Sequence, residues 1–169
     1  SKTTSGSRRV GGFLFIPDLP KPLAFAVDIP PEVSDSWLPR RRHILAVEFW
    51  ALLLCIFWLA SNGYKDRDIR MYCDNQAVCS ILIKGTSRRF DVQRMAALTS
   101  FLTVKFDFRT WVSWVPTLLN QADGLSRTTN PDPDLHTDIS DELVALTPNL
   151  LAQLEDWHQL LKSFIQNQV

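Results

Sequence analysis

The sequence predicts an α/β domain, and three features carry that expectation. Residues 69–73 and 106–115 alternate apolar and polar side chains, the period of a half-buried strand. Ile44 to Ala60 is nearly all apolar and too long for a strand, which predicts a helix buried on most sides against a sheet. Val92, Met95, Leu98 and Leu102 recur at spacings of three and four, the signature of an amphipathic helix between the two strand runs.

At 169 residues, 46% hydrophobic and 21% charged, the chain is long and apolar enough for one globular domain and is not disordered. Residues 1–130 are expected to form that domain, followed by a linker and a C-terminal amphipathic helix over 131–169. Eighteen basic and eighteen acidic residues cancel, so any basic surface is local, as at Arg40, Arg41 and Arg42 or at Lys84, Arg88 and Arg89. Cys55, Cys73 and Cys79 have no CxxC spacing and read as reduced core residues in an intracellular setting, cytoplasm or nucleus. No signal-peptide pattern is present, and the absent leading methionine suggests excision from a longer chain.

The elements follow in order. Val10–Ile16 and Leu23–Val27 are strand-like runs joined by a stiff connection containing Pro17, Pro20 and Pro22, which predicts a hairpin with a longer loop. Pro30, Pro31 and Pro39 mark an irregular crossing. The apolar helix then begins, stopped by Asn62 and Gly63; its seventeen residues fall short of the ~20 a membrane span needs, and Glu48 inside it would be costly in lipid.

Ile69–Cys73 ends abruptly at Asp74, and a short helix runs on to Gly85. After the basic loop KGTSRR, Ser87 is positioned to cap the next helix. Pro116 ends the last strand, and a short helix around Ala122–Ser126 carries Asp123. Beyond the Pro/Asp-rich segment 130–134, Thr147 and Pro148 read as the cap and first residue of the terminal helix, with Leu150, Leu154, Trp157, Leu161 and Phe164 on one face.

Three carboxylates stand out, each with an ordinary alternative. Glu48 is the lone charge on its helix and needs solvent, an arginine partner or a metal. Asp74 sits where a strand gives way to a helix, a position that suits either a ligand crevice or a helix cap. Asp123 is stabilised by the dipole of the short helix it opens.

The motifs YCDNQAV at 72–78 and WVPTLLNQADGLSR at 114–127, in this order of elements, resemble the ribonuclease H segment that follows reverse transcriptase in retroelements. ILIKGTSRR at 81–89 is similar to the DIRS-like kind, and the likeness covers about His43 to Arg127. It implies a ribonuclease H-like three-layer fold with a mixed sheet. It implies hydrolysis of the RNA strand of an RNA–DNA hybrid beside an adjacent reverse transcriptase domain, with no membrane and no small-molecule cofactor. By motif, Glu48, Asp74 and Asp123 would be the catalytic, metal-holding set for two magnesium ions, manganese being a substitute, and hard cations of this kind prefer oxygen ligands. Lys84, Arg88, Arg89 and Arg94 would contact the hybrid's backbone.

Two departures accompany the likeness. The first, central strand with its aspartate is missing from this sequence: residues 1–9 resemble the turn after it, and Asp18 and Asp28 lie in proline-bounded contexts that do not suit the role. The loop 117–121 lacks a histidine that many relatives have there, and His43, His136 and His158 do not match its position. The rival reading is therefore a non-catalytic ribonuclease H-like module that serves a polyprotein structurally or by docking nucleic acid. A transposase or integrase core is a third, opposed by the closing ADGLSR.

Overall fold

The computed structural model describes residues 8–37, 43–127 and 131–166. Residues 1–7, the arginines at 40–42 and the side chains of His158, Leu161 and Phe164 lie outside that description. The fold is α/β with a mixed sheet, in the element order that the motifs imply.

Strands β1 (Arg9–Leu14) and β2 (Leu23–Asp28) form the expected antiparallel hairpin, Gly12 facing Phe25. Glycine is required there: a Cβ on Gly12 would stand 2.6 Å from the Phe25 ring, which lies buried across the strand. A short helix α1 (Pro31–Ser34) leads to α2 (Ile44–Ser61), whose end at Asn62 and Gly63, φ +80°, is the predicted stop. Contrary to the shortfall expected from its sequence, helix α2 with its 18 residues is apolar and long enough, by length and composition alone, to cross a membrane. Here it buries Phe49, Trp50, Leu53 and Leu54 and packs on β1, α4 and α6 (Ser140–Gln166) as the central helix of one continuous core.

Strand β3 (Arg67–Cys73) runs parallel to β4 (Phe108–Trp114), in register from Arg67 with Phe108 to Cys73 with Trp114. Between them α3 (Gln76–Lys84) and α4 (Phe90–Lys105) make the crossover, α4 burying the predicted Val92, Met95, Leu98 and Leu102. The strands fall into two ladders, β1–β2–β5 and β3–β4, where β5 is Thr137–Asp138. Among the described residues no ladder joins β1 to β3, while the six-residue helix α5 (Ala122–Arg127) packs along β1.

The C-terminal helix begins earlier than its sequence suggests. It starts at Ser140, whose amide donates to Asp138 Oδ1 at 2.9 Å, and Pro148 falls inside it. Thr147, read from sequence as a cap, instead donates its hydroxyl to the Leu143 carbonyl at 3.0 Å. Burial of Leu143, Leu150 and Leu154 against β2, α2 and α4 outweighs the helical bond that Pro148 cannot make. Trp58 Nε1 adds a strut to Glu142 at 2.7 Å.

Candidate acidic site

Asp74 stands where β3 gives way to α3, and the neighbouring bonds fix its backbone. The amide of Val115 donates to the Cys73 carbonyl at 3.0 Å, and Trp114 Nε1 donates to the Asp74 carbonyl at 3.1 Å. Asn75, not Asp74, caps α3: its Oδ1 accepts from the amides of Ala77 and Val78 at 3.0 and 3.2 Å. The Asp74 carboxylate is thus left out of the cap, which removes the ordinary alternative for it.

Glu48 projects from the second turn of α2 and is half-buried. Its carboxylate, the Cys73 sulfur and the Asp74 carboxylate offer ligand atoms that all lie within 4.8 Å of one another. Burial is the main cause that raises the Glu48 pKa to about 7, and the charges of Asp74 and then Asp123 add to it. Two of the carboxylates singled out from sequence, Asp74 and the more distant Asp123, therefore act on the third, Glu48, while Asp123 stays outside the close group. Asp123 opens α5, with its amide on the Asn120 carbonyl at 3.1 Å and its carboxylate paired with Arg127 at 2.9 Å.

Sequence reasoning took Cys73 for a core residue, and it is buried; yet its sulfur also borders the two carboxylates. Alternation along β3 puts Cys73 on the same inward side as Met71, and that side faces the core helices. The Asn75 amide approaches the sulfur at 3.4 Å, while burial, the largest influence, pushes the thiol up to about 12. A thiol so poised stays protonated near neutral pH and leaves a hard cation to the oxygens. Half-buried Glu48 and Asp74, whose like charges oppose each other, are a pair of oxygen donors that fits a divalent metal such as magnesium.

The basic loop lies at the other end of α3, roughly 13 Å along the helix from Asp74 at 1.5 Å per residue. Lys84, Arg88 and Arg89 are exposed, with Gly85 in the left-handed region, φ +71°. Ser87 does not cap α4 itself: its hydroxyl accepts from the Arg89 amide at 3.1 Å, and Arg89 occupies the cap position. Arg94 is half-buried and reaches the Ser36 carbonyl at 3.5 Å. His43 and His136 pack on Trp37 and Phe13, ring centroids 5.7 and 4.9 Å apart.

No protein-family model and no curated protein matches this chain. The chain is similar to a solved structure. That structure is ribonuclease H1 from the halophilic archaeon Halobacterium salinarum, 22% identical, with a TM-score of 0.49 over 74% of this chain and 86% of that one.

Proposed function

We propose that the chain carries the hydrolytic centre of a retroelement ribonuclease H, which cuts the RNA strand of RNA–DNA hybrids during reverse transcription. The observation that supports this reading is the meeting of half-buried Glu48 and Asp74, with Asp123 outside that close group but near enough for its charge to raise the proton affinity of Glu48. Metal ions bound there would activate water on one side of the scissile phosphate and stabilise the leaving oxygen on the other. Glu48 and Asp74 would hold them from α2 and the turn after β3, and Asp123 from α5. Trp114 and Asn75 fix the turn that carries Asp74. A hybrid duplex is wide enough to span from the acidic group to the exposed Lys84, Arg88 and Arg89, whose contacts would be independent of sequence and sensitive to salt. The adjacent reverse transcriptase domain would deliver that hybrid, and the setting would be intracellular.

A second reading is favoured by one observation. Among the described residues, the side chain that completes the tight group with Glu48 and Asp74 is a cysteine and not a third carboxylate. A non-catalytic docking module would show that pattern. The two readings separate in a cleavage assay of the protein on a labelled RNA–DNA hybrid with magnesium. Hydrolysis of the RNA strand that disappears in Asp74→Asn supports the enzyme. No cleavage, or equal cleavage by the variant, rejects it in favour of the module.

A further inference from the structure

The hydrolytic reading uses the oxygens of Glu48 and Asp74 and leaves idle the sulfur beside them. We propose that Glu48, Cys73 and Asp74 together form a binding site for a thiophilic divalent ion of the zinc type, in a mode that competes with magnesium at the shared carboxylates.

The geometry suits such an ion. Three ligand atoms lie mutually within 4.8 Å, close to the spacing that Zn–S and Zn–O lengths of about 2.3 and 2.0 Å set around one centre. Two oxygens and one sulfur leave the fourth tetrahedral position to water, as in open zinc sites. The ligands come from separate elements, α2 for Glu48, the end of β3 for Cys73 and the turn after it for Asp74, so the folded chain assembles them in advance. The Asn75 amide 3.4 Å from the sulfur is a donor that would stabilise a thiolate.

Magnesium does not displace a thiol proton, whereas zinc and cobalt do: the S–H bond is exchanged for an S–metal bond and the proton passes to water. The chain thereby offers two ligand sets at one place, all-oxygen for a hard ion and sulfur-containing for a softer one. Occupation of the second removes Glu48 and Asp74 from the first. Zinc is then an inhibitor of the hydrolytic centre and not its cofactor.

The inference shares two carboxylates with the proposed function but stands on the sulfur, so the two can fail separately. Cobalt(II) alone, titrated into the full chain, is the probe, because thiolate ligation gives an intense near-ultraviolet charge-transfer band. That band is expected in the wild type and in Cys55→Ser/Cys79→Ser, which keeps Cys73 as its one thiol. It is expected to vanish in Cys73→Ser. Glu48→Gln is expected to weaken cobalt binding at least tenfold, and millimolar magnesium to raise the cobalt concentration needed for half-saturation. Absence of the band from the wild type or from Cys55→Ser/Cys79→Ser overturns the proposal even where Cys73→Ser does not fold, and so does its persistence in a folded Cys73→Ser. Thermal stabilisation by magnesium without a cobalt band would leave the all-oxygen site standing alone; the reverse result would leave the sulfur site standing and remove support for the magnesium one.

Discussion

Strand β3 has an acidic group at each end, and the two are opposites. At its start Asp66, Asp68 and Asp107 surround the Arg109 guanidinium at 2.8, 2.6 and 3.4 Å, all of them exposed. At its finish Glu48 and Asp74 meet under partial burial, with Asp123 close enough to be felt. The hydrogen bond from Arg109 is the main cause that lowers the Asp66 pKa, whereas burial and like charge raise that of Glu48 to about 7. A group that carries its own cation into open water is part of the structure. One that gathers like charge under partial cover, with the Arg127 cation engaged among the described residues by Asp123 alone, is held in readiness for something else.

The largest effect should come from breaking the second group. In the hybrid-cleaving protein, Asp74→Asn is expected to lower the rate by more than the ~100-fold that loss of an outer-shell metal partner can cost, because a direct ligand is removed. The fold should survive, since Asn75 carries the cap and Trp114 holds only the Asp74 backbone. Hybrid cleavage and circular dichroism measured together check both halves; a variant that unfolds would show that Asp74 is a structural residue after all.

Glu48→Gln tests the same group without substrate. The ordinary carboxylate value of 4.5 is raised to about 7 in the folded protein, so the unfolded chain ionises first as pH rises. The penalty is absent below pH 4.5, grows between 4.5 and about 7, and is complete above that. Without added metal, Glu48→Gln should therefore match the wild type near pH 4 and exceed it at pH 8, by on the order of 3 kcal/mol at most. Magnesium should stabilise the wild type at pH 8 and leave the variant almost unchanged. Denaturant melts across pH decide this, and a variant less stable at pH 8 would mean that Glu48 has a compensating cation.

Much of this contrast was legible in the sequence, but unevenly. Period and composition located α2 almost to the residue, Ile44–Ala60 against Ile44–Ser61, because a continuous apolar run ended by Asn62 and Gly63 permits few alternatives. Asp74 remained ambiguous because Asp-Asn offers two capping side chains, and the hydrogen bonds alone identify Asn75 as the one used. The start of α6 was hidden by the Thr-Pro pair, whose local preference for a helix start yields to the burial of Leu143 and Leu150. The Arg109 group was illegible, since Asp66 and Arg109 meet only through the parallel register of β3 on β4. Sulfur beside the carboxylates was likewise invisible, a strand position telling only that Cys73 points inward.

The basic loop sets a middle scale. Replacing Lys84, Arg88 and Arg89 by glutamine should weaken hybrid binding and flatten the salt dependence of log K by up to about 3, while leaving the stability of the free protein nearly unchanged. Binding isotherms from low to moderate salt measure that slope, and an unaltered slope would reduce the loop to a solvated turn.

The smallest effect belongs to the first group. Arg109→Met leaves Asp66, Asp68 and Asp107 without their shared cation, yet all are exposed and water screens them. Asp66 and Asp107 also hold left-handed backbone, φ +53° and +55°, and the strand starts are tied by main-chain bonds from Asp66 to the Phe106 carbonyl and from Arg67 to the Asp107 carbonyl at 2.9 and 3.2 Å. Those bonds need no guanidinium. The melting midpoint at neutral pH should fall by roughly a degree or two, and the difference should disappear in ~1 M salt. It should also close in acid, because stability tied to a lowered Asp66 pKa is present above its ordinary 3.8 and is lost as pH falls through the depressed value. A larger loss that resists salt would mean that Arg109 organises the start of both strands, and the two ends of β3 would then differ in strength and not in kind.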